Sequence, residues 1–253
     1  MGAYADLPRP TLFAHRGSSA HAPENTLAAF ELAFRQGAPA IELDATLCGD
    51  QQVVVIHDQT VDRTTDGSGD VQRMPLSALK ELDAGSWFDL AFKREKIPTL
   101  EEVFETVGKR LFINVELKNY ASPWDDLPNR VANLVKKHNL SDRILFSSFN
   151  PVALLRVRFI LPHVPRGLLV LSGKPGAWAR GWLGRLFPCQ ALHPEASDVT
   201  DNLVMHAHQA DRRVHVYTVN EPDEMARLFK LGVDGIFSDD PLLAQQVLAR
   251  LTT

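Results

Sequence analysis

Apolar and polar positions along this chain alternate between two rhythms. Short runs rich in β-branched and aromatic residues read as buried strands: "TLFAHRG", "AIELDATL", "VVVIHD", "LFINVELK", "RILFSSF", "RGLLVL", "CQALHP", "RVHVYTVN" and "DGIFSDD". Between them lie segments with apolar residues three and four apart, the spacing of an amphipathic helix: "ENTLAAFELAFRQG", "TLEEVFETVG", "DLPNRVANLVKKHN", "NPVALLRVRFIL", "TDNLVMHAHQAD", "EPDEMARLFKLG" and "PLLAQQVLARL". Local signals agree with this division. Gly37 stands where the first helix should stop, and Thr99 with Glu102 forms a capping-box pair at the start of another.

The count comes to about eight strand–helix units, the rhythm of a TIM (β/α)8 barrel. A doubly wound open sheet would show the same alternation. No GxGxxG follows an early strand, which weakens the dinucleotide-binding form of that alternative. Residues 59–98, with the turn cluster "TTDGSGD", break the rhythm and are too long for an ordinary βα loop. They are expected to form a small insertion after the second barrel strand. No linker divides the chain, so residues 1–253 are expected to form a single domain.

A barrel presents its chemistry at the C-terminal ends of its strands. The first strand ends in His15 and Arg16, followed by Gly17. The second carries Glu42 and Asp44, which share a face because alternate strand residues do. The run "VVVIHD" ends in His57 and Asp58, "NVELK" sets Asn114, Glu116 and Lys118 on one face, and "VYTVN" ends in Tyr217, Thr218 and Asn220. Two carboxylates aimed together repel unless a cation lies between them. All-oxygen donors favour a hard divalent ion. A solvated carboxylate pair, and a structural Glu116–Lys118 ion pair, are the alternatives for these two motifs taken alone. Glu24, Asn25 and Thr26 of "APENT" read as helix caps that can also orient the neighbouring site. His138, His163, His206 and His208 carry no supporting pattern, and His193 and His215 lie near strands without evident partners. His15 and His57 differ, since two imidazoles flanking a substrate can act as base and acid.

Composition narrows the remaining choices. A net charge of −4 gives no basic footprint for nucleic acid. Cys48 and Cys189 are too few for a disulfide framework and read as reduced, buried thiols. The opening "MGAYADLPRP" has no apolar signal core, and Asp6 stands where myristoylation requires Ser or Thr. No apolar run approaches the roughly 18 residues of a spanning helix. These features predict a cytoplasmic protein without stable membrane insertion, whether monomer or dimer. The stretch "AWARGWLGRLF" at 177–187 reads as a barrel helix with snorkelling arginines, with a lid or lipid-touching patch as the alternative.

Three carboxylates, two histidines, an arginine and a lysine suit phosphodiester cleavage, in which negative charge concentrates on phosphoryl oxygens and the leaving alkoxide needs a proton. The ordered motifs "AHRG…APENT…IELD…VVVIHD…DRTTDGSG…PTLEEVF…NVELK…VYTVN…GVDGIFSDDP" resemble the glycerophosphodiester phosphodiesterase family nearly end to end. With "DAGSWF" and "PRGLL", the arrangement is most similar to the family's cytoplasmic bacterial branch. The resemblance implies a TIM barrel with an insertion after the second strand. It implies hydrolysis of glycerophosphodiesters such as glycerophosphocholine or glycerophosphoethanolamine to sn-glycerol 3-phosphate and an alcohol. It also implies catalytic His15 and His57, phosphate contacts from Arg16 and Lys118, and one divalent cation on Glu42, Asp44 and Glu116, Mg²⁺ ahead of Ca²⁺ or Mn²⁺. Tyr217 stands where the family commonly has Trp, and it and Asn220 are expected to touch the substrate's glycerol side. His15 is expected to be the base and His57 the acid. Attack by water and attack by the substrate's own hydroxyl both remain open. A lipid-directed phosphodiesterase, a metal-dependent sugar-phosphate barrel enzyme and a catalytically silent binder are the rival readings.

Overall fold

The computed structural model describes residues 3–181, 184 and 186–252. Eight parallel strands close into a ring: β1 (Thr11–Ala14), β2 (Ala40–Leu47), β4 (Phe112–Leu117), β5 (Ile144–Ser148), β6 (Arg166–Val170), β7 (Ala191–Pro194), β8 (Arg213–Val216) and β9 (Gly235–Ser238). Each pairs with its neighbour, and β1 closes the ring by pairing with both β2 and β9. The expected TIM barrel is therefore observed.

Helices cover the outside: α2 (Leu27–Arg35), α4 (Leu100–Val107), α5 (Leu127–Lys137), α6 (Pro151–Ile160), α7 (Gly173–Arg180), α8 (Asp201–Gln209), α9 (Pro222–Lys230) and α10 (Pro241–Thr252). The Thr99–Glu102 capping box forms as expected, and Gly37 adopts φ +78° just past α2. A short N-terminal helix, α1 (Ala3–Asp6), sets Tyr4 beneath the ring, against the inward-facing layer of Phe13, Ala40, Phe112, Leu145 and Phe237.

Strand alternation explains both faces of the wall. Ile41, Leu43 and Ala45 on β2, with Ile113, Val115 and Leu117 on β4, pack outward into the main core beneath α2, α4 and α5. The residues between them, Glu42, Asp44, Asn114 and Glu116, point inward. Registration of Glu42 with Asn114 and of Asp44 with Glu116 brings two strands' polar groups together at the mouth.

At eight residues, β2 overshoots the ring, turns, and returns as β3 (Val53–Val55), which is antiparallel to β2 and lies outside the ring. The returning chain brings Ile56 back to the level of Asp44, whose carbonyl accepts from the Ile56 amide at 3.0 Å. His57 thus reaches the mouth from a descending strand rather than from the end of a ring strand. The following segment contains α3 (Leu76–Glu81) and a small core of its own, in which Val61, Val71, Leu79, Ala84 and Ile97 pack on Val54 and Ile56. In the 177–187 stretch the helix ends at Arg180 and Trp178 is partly exposed, while Trp182, Leu183 and Arg185 lie outside the described residues.

Candidate active site

The mouth encloses a cavity of about 300 Å³ whose walls include His15, Arg16, Glu42, His57, Glu116, Lys118 and Tyr217. All seven come from five separate stretches of chain and were expected at or near strand ends.

The turn after β1 sets the first two. Arg16 and Gly17 both take positive φ, +56° and +85°. Such a conformation is uncommon for a residue with a Cβ and tends to occur where function requires it. A Cβ on Gly17 would lie 2.7 Å from Ala29, so glycine is needed because α2 presses on the turn. The tight turn aims the Arg16 amide at Glu42 Oε2, 3.0 Å away. The Arg16 guanidinium reaches Glu24 at 2.8 Å and Asp44 at 3.4 Å.

Glu42, Asp44 and Glu116 each place a carboxylate oxygen within 4.8 Å of the others. Their environments differ. Burial, with Asp44 and Glu116 close by, pushes the Glu42 carboxyl well above its usual range, against the pull of Arg16. Asp44 is just as buried, yet Lys118, Arg16 and His57 outweigh burial and hold it below the usual range. Lys118 lies 3.4 Å from Asp44 and 3.6 Å from Glu116. Asn25 donates to Asp44 Oδ2 at 2.8 Å, and the Asp44 amide returns a bond to Asn25 Oδ1 at 3.3 Å. "APENT" therefore does orient the site, while Thr26 caps α2 by accepting from the Ala29 amide. The oxygen Glu42 Oε1 is buried with no hydrogen-bond partner. A buried carboxyl oxygen left unpartnered close to two other carboxylates fits a small hard cation, whose charge would favour the ionised form.

Both histidines are held through Nδ1 by a carboxylate. His15 Nδ1 lies 2.7 Å from Asp239 Oδ1, and Asp239 is steadied further by Ser19 (3.0 Å) and Asn220 (2.6 Å). His57 Nδ1 lies 2.6 Å from Asp58 Oδ1. Asp58 is shared with Arg63, which also forks onto Glu24 with contacts of 2.7 and 2.8 Å. Arg63, from the insertion, thereby ties His57 to the Glu24–Arg16 pair. The hydrogen bond from Arg63 draws the Asp58 carboxyl down to about 2. With Nδ1 engaged, Nε2 of each imidazole is left for the cavity, and that of His15 stands 3.9 Å from Glu42 Oε2.

Some placements refine the sequence reading. Asn220 holds Asp239 and is absent from the cavity wall. The Tyr217 hydroxyl is committed to the Val170 carbonyl at 2.7 Å, so only its ring is offered to the cavity. That ring meets Phe149 edge-on at 5.9 Å, and Phe149 meets Tyr120 at 5.7 Å, forming an aromatic wall. The Tyr120 hydroxyl donates to Glu116. His193 and His215, which appeared to lack partners, are 3.2 Å from each other inside the barrel. Asp58 was expected beside His57 at the end of its run, whereas Asp239 and Arg63 did not stand out by pattern. A carboxylate at the mouth end of the last ring strand is the signal that points to Asp239.

Comparison with known proteins identifies the family. The sequence profile of the Glycerophosphoryl diester phosphodiesterase family matches residues 15–243. A glycerophosphodiester phosphodiesterase of Caldanaerobacter subterraneus is 39% identical over 231 residues, spanning 91% of this chain and 94% of the relative. A phosphodiesterase of Oleispira antarctica, solved in complex with the product sn-glycerol 3-phosphate, superimposes with a TM-score of 0.89 at 36% identity, covering 98% of this chain and 100% of that one. A glycerophosphodiester phosphodiesterase of Agrobacterium tumefaciens superimposes with a TM-score of 0.81 at 30% identity, covering 93% and 99%. The chain belongs to the glycerophosphoryl diester phosphodiesterase family.

Proposed function

We propose that this enzyme hydrolyses glycerophosphodiesters to sn-glycerol 3-phosphate and an alcohol, with a divalent cation on Glu42, Asp44 and Glu116 and with His15 and His57 as its proton-transfer pair. The observation that carries the reading is that both imidazoles line one cavity with Nδ1 bound to a carboxylate, and that a three-carboxylate cluster stands beside them. A phosphodiester is a small anion, and Arg16 and Lys118 on the same cavity supply positive charge for it. A cation held by the three carboxylates would offset their mutual repulsion and help neutralise charge developing on the phosphoryl oxygens.

The chain's own residues divide the remaining work. Besides His15, Asp239 accepts side-chain bonds among the described residues only from the neutral groups Ser19 and Asn220, so no second cation shares its charge there. Asp58 shares its charge with Arg63. That contrast suits His15 to take the proton of the attacking hydroxyl at Nε2, and His57 to give one to the departing oxygen. Arg16 and Lys118 hold the phosphate, and the Tyr217 ring packs on the organic part. No helix among the described residues is long and apolar enough to cross a membrane, which accords with a small-molecule substrate.

Release of sn-glycerol 3-phosphate from glycerophosphoethanolamine is the test, with EDTA-treated protein resupplied separately with Mg²⁺, Mn²⁺ or Ca²⁺. Activity should vanish with the chelator and return with one of the ions, Mg²⁺ first. Full turnover in EDTA would reject the metal, and no turnover under any ion would reject the substrate.

A further inference from the structure

Below its charged rim the cavity changes character. Asn114, Ser147 and His193 line it there, and all three are buried. Asn114 is two residues below Glu116 on β4 and points to the same face. Its Nδ2 donates to Ser147 Oγ at 2.8 Å, and its Oδ1 has no partner among the described residues. His193 is joined through Nε2 to His215 Nδ1, and its own Nδ1 likewise has no partner among the described residues. A Cβ on Gly167 would come within 2.3 Å of His193 Nε2, so glycine at that point of β6 makes room for the ring. Burial pushes His193 down to about 3 and His215 well below the usual range, so this layer is uncharged at neutral pH.

Buried polar atoms normally have partners, and two unpartnered ones on a single cavity wall point to a ligand that supplies them. The donor and acceptor inventory says what kind. One N–H of Asn114 Nδ2 is used on Ser147, and the unpartnered Oδ1 is an acceptor that needs a donor from the ligand. His193 Nδ1 is a donor in one tautomer and an acceptor in the other. A phosphate oxygen cannot satisfy Asn114 Oδ1, and an ammonium would bury a charge with no counter-charge in this layer. A hydroxyl, which both donates and accepts, fits either atom. A glycerol esterified at one end keeps two hydroxyls free.

We propose that Asn114 and His193, with Ser147 between them, form a neutral floor that reads the hydroxyls of the glycerol group and so orients the phosphate toward the rim. This rests on the activity proposed above and adds where that activity's selectivity for glycerol resides. His215 and Gly167 act as positioning residues, through the His193 ring.

The test compares two diesters, glycerophosphoethanolamine and its propane-1,2-diol analogue. The analogue lacks only the terminal hydroxyl and keeps the adjacent one available as an internal nucleophile. The wild type should prefer the glycerol compound by roughly 10-fold or more in kcat/KM, since a buried site built for a hydroxyl discriminates against its absence. In Asn114→Leu or His193→Phe that preference should collapse to within about 3-fold, the loss falling on the glycerol compound. A general folding defect would lower both rates and leave the ratio intact, and Ser147→Ala provides a milder variant if the larger ones are unstable. A wild type that turns over both compounds alike, or variants that all keep its ratio, would overturn the floor. A wild type inactive on both would overturn the activity itself.

Discussion

Replacing Asp239 by Asn isolates the contribution of the carboxylate behind His15. The substitution conserves shape, keeps an acceptor within reach of Nδ1, and leaves the backbone bonds at residue 239, from its amide to Asn220 and from the Ala20 amide to its carbonyl, in place. What it removes is the negative charge 2.7 Å from the imidazole. Two unit charges about 4 Å apart interact by about 4 kcal/mol at an effective dielectric of about 20. Asp239 is about a third exposed, with side-chain accessibility of 34%, so solvent screening reduces that figure. The remaining interaction is nearer the 1.5–3 kcal/mol typical of a hydrogen bond to a charged group, about 10–150-fold in rate.

If His15 accepts the proton, its positive form exists only along the reaction path, and the loss should fall on kcat. The assay is steady-state release of sn-glycerol 3-phosphate at saturating metal. The expected result is kcat lowered by about 10–150-fold with KM within about 3-fold. Ser19→Ala, which removes one neutral donor from the same carboxylate, should cost less than about 5-fold. Asp239→Asn with kcat within about 2-fold of wild type, in protein with an unchanged melting temperature, would refute the idea that His15 works through its Nδ1 partner. A loss confined to KM would refute it equally.

Other perturbations probe the surrounding parts. Arg63→Met should lower kcat by about 5–20-fold by freeing Asp58 and Glu24 together, and Lys at that position should restore little because it cannot fork onto two carboxylates; full rescue by Lys would show that charge alone matters. Gly17→Ala forces a Cβ to within 2.7 Å of Ala29 at φ +85° and should cost about 2 kcal/mol, lowering Tm by about 4–8 °C in thermal denaturation; an unchanged Tm would mean that the turn relaxes freely. His193, held neutral with a folded value of about 3 against 6.5 for the free group, contributes stability that is present above about pH 6.5 and lost as the pH falls, because the unfolded chain then binds the proton first. Wild type should therefore lose about 1.4 kcal/mol more than His193→Phe between pH 7.5 and 5.5 in urea titrations, and parallel losses would count against burial of a neutral ring.

The barrel was legible because its wall has to satisfy two faces at once. Outward residues such as Ile41, Leu43 and Ala45 must be apolar to pack on helices, and the inward ones become polar only near the mouth. "IELD" and "NVELK" therefore reveal strand, face and chemistry together. His57 was legible as a candidate but its route was not. The pattern of "VVVIHD" is that of any buried strand, and nothing in it distinguishes a ring strand from the descending arm of a hairpin. Direction is decided by β2 being long enough to overshoot and by the hydrophobic cluster of the insertion holding the returning chain.

The less legible part of the site lies in relations between distant residues. Asp239 meets His15 across 224 positions, Arg63 meets Glu24 across 39, and His193 meets His215 across 22. Each is an ordinary residue in its own segment. Its role arises only when ring closure sets β9 against β1, or when β7 and β8 point their inner residues at a common axis. Local pattern thus identified the groups proposed to meet phosphate and metal, which sit beside turns and strand ends with strong signatures of their own. Holding groups such as Asp239, Arg63 and His215 obey no local rule, because a hydrogen-bond partner need only be near in space. On this reasoning the second layer should vary in sequence position among barrels with the same reacting groups, and Asn220 illustrates it. The motif "VYTVN" suggests a residue that touches substrate, yet its amide fastens the carboxylate that fastens His15. Asn220→Ala should accordingly lower kcat by about 3–10-fold through a loosened Asp239 while leaving KM within about 2-fold, whereas direct contact with the glycerol would raise KM.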